Sequence, residues 1–364
     1  MAYTTVDDPS EHTQSIIYNA TGGDGGASQP TTITNTGNAD LQPDFIWFFE
    51  FSAGYGNAIV DSTRTRSKYL YPDVVNAEVT TGSTAYDVVS FDSDGFKVGA
   101  PSAANSTNGG TTQKLAVQYK ANGGTTSSFT ESGNNPGGTI QTNATAGFSI
   151  ISYTGTGGPG NIAHGLPSAP ELVIFKNRGT TNVWATYHVG LGDDLKLVLN
   201  ANDAKDADGS FMNSIIPDAT NIRAGDSNNP NTNADAGTYM CYAWSPIQGY
   251  SKFGSYTGNG NADGTFVYTG FKPAWIMVKN ITDSGVSWMI QDYKRDIDNP
   301  VHHRLKANDS AAEASNINQM DFLSNGFKCR VNDSSWNLSG KTYIYMAFAE
   351  HPFTTSTGIP TTAR

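Results

Sequence analysis

Two adjacent histidines, His302 and His303 in NPVHHRL, are the residues whose types best suit a metal ion. Imidazole nitrogens are common ligands of zinc and its neighbours. On a strand, however, adjacent side chains point to opposite faces and cannot easily hold one ion. The expectation is therefore a solvated pair in a loop or at a sheet edge. His12, His164, His188 and His351 are scattered. His164 precedes Gly-Leu-Pro and reads as a turn residue whose ring satisfies backbone groups. Acidic strings occur at Asp92 (DSDG), Asp206 (DADG) and Asn261 (NADG). Calcium needs about six or more oxygen ligands, usually with a bidentate carboxylate, and none of the strings has the spaced glutamate of an EF-hand loop. Turns explain them, with a surface calcium ion as the rival reading. Gly155, Gly157 and Gly160 spell GxGxxG, but Pro159 lies inside the string and no helix follows to receive a pyrophosphate. HExxH and GxSxG are absent. Paired carboxylates for glycoside cleavage meet in space and leave no sequence spacing. The expectation is no catalytic residue, no cofactor-binding residue, no metal ligand and no enzymatic turnover.

The elements that would carry these residues read as strands. PDFIWFFEF, PELVIFKN and PAWIMVKN are continuous β-branched and aromatic runs, as expected for strands buried on both faces. YIYMAFAE places Ile344, Met346 and Phe348 on one face and Tyr343, Tyr345 and Ala347 on the other. Turns are rich in Gly and Asn, as in SDGF at Ser93 and SNGF at Ser324. Short strands with frequent turns indicate a sandwich or barrel. The best helical candidate, one or two turns, lies near Asn308 to Leu323.

The chain also repeats itself. Ser15, Ser149 and Ser251 open SIIYNATG, SIISYTGTG and SKFGSYTGNG. Pro43, Pro170 and Pro273 precede the long apolar runs. From those prolines, Asp61, His188 and Asp292 follow at 18, 18 and 19 residues. Phe96, Ile222 and Phe327 follow at 53, 52 and 54, and Ala116, Cys241 and Tyr345 at 73, 71 and 72. The fold class expected is all-β, with three tandem antiparallel β-sandwich modules. Their boundaries are 1–120, 147–248 and 249–353, with a C-terminal tail at 354–364. Residues 121–146 are nearly all Gly, Ser, Thr and Asn and read as a linker or long surface loop. The joint SPIQGYS is short, so modules two and three should pack closely and module one more independently. Proteolysis would then cut first between Lys120 and Ala146.

Composition narrows the class. Charged residues make up 15% of the 364, and Thr, Ser, Asn and Gly replace them. The 17 Tyr, 17 Phe and 6 Trp argue against disorder. A net charge of −11 disfavours nucleic acid and anionic lipid as partners. Cys241 and Cys329 lie in strand-like runs and read as buried free thiols. MAYTTVDDPSEHTQ does not read as a signal peptide, and no run is long and apolar enough to span a bilayer, so no membrane insertion is expected.

FSIISYTGTG, HGLPSAPELVIFKNR, YSKFGSYTGNGNADGTFVYTGFKPAWIMVKN, DFLSNGFK and GKTYIYMAFAEHPF resemble repeat modules in virion structural, tail-fibre-like proteins of marine tailed bacteriophages of the cyanophage type. The resemblance covers most of the chain and is most specific from Gly147 to Phe353. The first module departs from it by an insertion, GGDGGASQPTTITNTGNAD. The resemblance implies jelly-roll or concanavalin A-like (SPRY-like) modules and a non-enzymatic virion component. The leading reading is a tail fibre or tail-associated appendage, made in the host cytoplasm and assembled on the phage particle. Other virion proteins and a host-surface glycan are the expected partners. Head decoration or a head fibre is the first alternative; a carbohydrate-binding array or a polysaccharide-degrading tailspike is the second. A homo-oligomer, with a trimer favoured, is expected because QKLAVQYK, TYMCYAWS and TYIYMAFAE carry little charge to guard open sheet edges.

Overall fold

The apolar runs form strands throughout a computed structural model that describes residues 3–21, 30–52, 54, 56–80, 88–99, 107–110, 112–226, 229–315 and 318–361. Residues 22–29 of the first insertion and 362–364 of the tail lie outside these. The chain is all-β, and its sheets are antiparallel. Among the described residues the sole helical turn is a 3-10 turn at Pro9–Glu11.

The first strand set holds β1 (Thr13–Asn19), β2 (Thr31–Ile33), β3 (Phe45–Glu50), β4 (Ala58–Asp61), β5 (Lys68–Tyr69), β6 (Val79–Thr80), β7 (Val88–Asp92), β8 (Gly95–Val98) and β9 (Gln113–Tyr119). Its large sheet runs β1-β9-β3-β4, and a small sheet runs β2-β8-β7. The second set holds β10 (Ser127–Phe129), β11 (Gly137–Asn143), β12 (Phe148–Thr154), β13 (Gly160–Ala163), β14 (Leu172–Asn177), β15 (Ala185–His188), β16 (Leu195–Val198), β17 (Asp206–Ala207), β18 (Asn221–Ala224) and β19 (Thr238–Trp244). Its large sheet runs β10-β11-β12-β19-β14-β15-β16-β17, beside the pair β13-β18. The third set holds β20 (Ser251–Thr257), β21 (Phe266–Tyr268), β22 (Phe271–Asn280), β23 (Met289–Asp292), β24 (Leu305–Lys306), β25 (Met320–Leu323), β26 (Gly326–Cys329) and β27 (Thr342–Pro352). Its sheets run β20-β27-β22-β23-β24 and β21-β26-β25. One order thus recurs: β1-β9-β3-β4, β12-β19-β14-β15 and β20-β27-β22-β23.

Three local expectations are corrected. Residues 121–146 contain β10 and β11, and β11 pairs with β12 along its whole length, from Gly137↔Thr154 to Asn143↔Phe148. Composition suggested a loop, but the neighbouring strand supplies the hydrogen bonds that stabilise a weak strand sequence. The described residues between Asn308 and Leu323 form no helix; they carry Ala314 of the Arg304↔Ala314 bridge and β25. QKLAVQYK, TYMCYAWS and TYIYMAFAE are not edges: β9, β19 and β27 each lie between two strands of a large sheet. The edge-strand reason for self-association therefore does not hold for these segments.

The central strands of each large sheet are buried on both faces. In β3, Ile46 and Phe48 face the core beneath the small sheet, while Phe45, Trp47 and Phe49 enter a second, larger core. In β14, Val173 and Phe175 take the first role and Leu172 and Ile174 the second. In β22, Ile276 and Val278 separate from Trp275 and Met277 in the same way. The alternation expected for the closing strand is observed: Ile344, Met346 and Phe348 join the shared core, and Tyr343, Tyr345 and Ala347 the local one. The shared core joins all three sets. Phe45 packs edge-on against Tyr242 with ring centroids 5.0 Å apart, and Tyr119 meets Phe348 at 5.0 Å.

Hydrogen bonds repeat around this core in a ring. Asn57, Trp184 and Trp288 each stand just before the fourth strand of their large sheet's repeated order. Trp184 Nε1 donates to Tyr71 O (3.0 Å), Trp288 Nε1 to Val198 O (3.0 Å), and Asn57 Nδ2 to Lys306 O (3.1 Å). The second set thus grips the first, the third grips the second, and the first grips the third. Backbone bonds close the same circle: Glu78 N–H to Arg178 O, Lys205 N–H to Ile281 O, and Glu313 N–H to Phe51 O.

One shared core implies one unfolding unit. Trp244 is 2% exposed and packs against Phe45, Tyr119 and Phe148 from two sets. Trp244→Ala is expected to destabilise the chain by about 3–5 kcal/mol while calorimetry still shows a single transition. A separate transition for residues 1–120, left in place by this substitution, would contradict the shared core.

Candidate functional site

The clearest polar construction lies where strand sets meet. Asp61 ends β4 and is fully buried. Its Oδ1 accepts the backbone N–H of Arg64, and its Oδ2 accepts Arg64 Nε at 2.6 Å. Arg64 also donates to Ile59 O and reaches Glu78 at 3.3 Å. The third set repeats this arrangement. Arg295 donates its backbone N–H to Asp292 Oδ1 and Nε to Asp292 Oδ2, and it reaches Ile290 O and Glu313 Oε2. A charge out of water needs such fixed partners, and removing one of them strands the other. The second set replaces Asp, Arg and Glu by His188, Leu191 and Lys205. His188 Nδ1 accepts the Gly190 N–H, so the ring proton sits on Nε2, 3.0 Å from Tyr345 O in the third set. Sequence spacing singled out Asp61, His188 and Asp292 but missed their partners. The available signal was D-x-x-R at Asp61 and again at Asp292.

His302 and His303 are not on a strand: they lie between the single-residue bridges at Val301 and Arg304. The alternation argument against their convergence therefore fails. His303 Nδ1 lies 2.6 Å, and His302 Nδ1 3.0 Å, from the same atom, Asp296 Oδ1. The ring centroids are 4.2 Å apart. Asp296 is 2% exposed at its side chain and is held by the backbone N–H groups of His302 and His303, both bonded to Oδ2. Asp296 also borders a cavity of about 560 Å³ lined by Lys272, Tyr293, Asn299, Phe322 and Glu350 among others. Lys272 and Glu350 form an ion pair at its wall.

The other sequence candidates serve structure. Gly160 opens β13, and a Cβ there would meet Asn134 O at 1.9 Å. DSDG forms the hairpin between β7 and β8, with Gly95 at φ +103°. Asp206 and Asp208 both pair with Lys196, and Asp263 of NADG pairs with Lys328 and Arg330. These carboxylates already have cationic partners. His164 is buried, with Nδ1 accepting the Leu166 N–H. Cys241 and Cys329 are buried free thiols, and burial pushes the Cys329 thiol up to about 12.

A family described as a domain of unknown function, DUF7483, matches residues 8–352. The chain belongs to that family. The match runs from the 3-10 turn to the last strand, so all three strand sets lie within one family domain. No curated protein and no solved structure matches the chain.

Two seam residues set an acid response. Burial lowers the His188 pKa to about 4, which the Tyr345 carbonyl only partly offsets. Burial alone would raise Glu78, but Arg178, Lys68 and Arg64 overrule it and hold the carboxyl at about 2. Both folded values lie below the unfolded ones, so both contributions are present at neutral pH and lost on acidification. His188 acts from pH 6.5 down to about 4, for about 3 kcal/mol, and Glu78 from 4.5 down to about 2. Chemical denaturation across pH should show stability falling through both windows. Glu78→Gln should remove the lower one; an unchanged profile would disprove the assignment.

Proposed function

We propose that the chain is a non-enzymatic structural component of a tailed-phage virion, a tail fibre or tail-associated appendage. Its three strand sets are read as tandem β-sandwich modules of jelly-roll or concanavalin A-like kind. The observation that supports a structural role best is the closed ring of equivalent seams. Each set donates a side-chain hydrogen bond from an equivalent position to a neighbouring set, and all three share one apolar core. Such a block resists deformation and leaves its turns free to face outward. The virion assignment itself rests on the resemblance of the repeat motifs.

The cavity beside Asp296 favours a host-surface glycan as ligand. It is lined by the aromatic ring of Tyr293, the carboxylate of Asp298 and the Lys272–Glu350 ion pair, a lining suited to stacking on and hydrogen bonding to a sugar. Self-association, with a trimer favoured, would multiply weak contacts of that kind. Head decoration is the alternative placement on the particle.

Mass spectrometry of purified virions should find the chain, and antibody labelling in electron micrographs should place it on the tail. Host envelope polysaccharide incubated with the purified protein should release no reducing ends. Absence from virions would overturn the structural reading. Polymer loss abolished by one Asp or Glu substitution would move the protein to the enzyme class.

A further inference from the structure

We propose that Asp296, His302 and His303 form a binding site for one divalent transition-metal ion, with Zn²⁺ the best fit. The three side chains offer two imidazole nitrogens and one carboxylate oxygen, all within 4.8 Å of one another. That donor set suits zinc and its neighbours, and three protein ligands leave one position for water or a ligand oxygen. A tetrahedral zinc site with bonds of about 2.0–2.1 Å has ligand edges of about 3.3 Å. The two nitrogens stand 2.6 and 3.0 Å from Asp296 Oδ1, so each ring need draw back by less than about 1 Å. Both side chains have room to do so: His302 is 41% exposed and His303 26%. The carboxylate, by contrast, is buried and fixed through Oδ2, which leaves Oδ1 aimed at both rings.

One outer carboxylate stands near His303, beyond hydrogen-bond distance but within reach of a small ring movement. A ligating histidine usually turns its second nitrogen towards a carboxylate that orients the ring. His303 Nε2 lies 3.8 Å from Glu313 Oε1, and Glu313 is itself held by Arg295. The first strand set supplies an internal control. Counting back from the equivalent residues Tyr71 and Lys306, the position of His303 is Lys68 in the first set. Lys68 Nζ pairs with Glu78 at 2.9 Å, as His303 faces Glu313. Counting on from Arg64 and Arg295, the position of Asp296 is Thr65. The shared ionic corner thus exists without this cluster. The third set adds an aspartate and two histidines to it.

The test uses untagged full-length protein stripped with EDTA and titrated calorimetrically with Zn²⁺, with Co²⁺ absorption as a second readout. The proposal expects one ion per chain with a Kd tighter than about 100 µM and a rise in melting temperature on adding Zn²⁺. His302→Ala and His303→Ala, both at partly exposed positions, should keep the fold and weaken binding at least tenfold. Glu313→Gln should weaken it by about 10–100-fold. His351→Ala should leave it unchanged. Weaker binding by the wild type, or binding that survives His302→Ala and His303→Ala, would overturn the proposal.

Discussion

Everything in this fold depends on three strands that are apolar on both faces. A sheet with one apolar face needs one covering layer. The sheets built on β3, β14 and β22 need two. The small sheet of each set covers one face. Among the described residues the other face packs with those of the other two large sheets in the shared core. Dry aromatic surface of that extent stabilises the chain only when it is buried. Cooperation among the sets is therefore a consequence of the strand sequences rather than of the connections between them.

Apolar packing is non-directional, so it would not by itself choose how three sheets are arranged. The seams add direction. Each uses a donor just before the fourth strand and a carbonyl of the neighbouring set, repeated three times with different side chains: asparagine once and tryptophan twice. Buried ion groups sharpen the choice at two corners. Asp61, Arg64 and Glu78 are desolvated, and Glu78 also binds Arg178 of the second set. Desolvation offsets much of the gain from such groups, so their main effect is to make misplaced packing costly. At the remaining corner a neutral histidine does the same work with one directed bond, His188 to Tyr345.

Much of this was legible because the repeat is a spacing pattern. The Asp/His/Asp landmark and the alternation of YIYMAFAE lie on strands, where a period of two fixes which face a side chain takes, and Pro43 and Pro170 stand just before the strands they announce. Phe96, Ile222 and Phe327 are all fully buried at equivalent places in the small sheets. What escaped reading was set by partners distant in sequence. GGTIQTN has little strand character of its own and becomes β11 because β12 offers a complete ladder beside it. The His302–His303 pair was judged by strand geometry, whereas its position depends on a carboxylate six and seven residues earlier. The partner across the seam from Trp184 is Tyr71, and nothing in local composition marks a residue more than a hundred positions away.

The three corners differ in a way that the common frame permits. Core positions must keep volume and polarity in all three sets, because each contributes to the same packed interior. The residues between the fourth and fifth strands connect successive strands, and their number differs between the sets. The third set is longer there than the first by four residues, counting from Arg295 to Lys306 against Arg64 to Tyr71. Those extra residues lie between Asp296 and the two histidines, and His303 faces Glu313, a carboxylate that the frame already anchors through Arg295. Repetition thus supplies the rigid corner, and divergence supplies the polar groups mounted on it. Function is therefore best sought where the three copies disagree, since their agreement is already accounted for by the shared core.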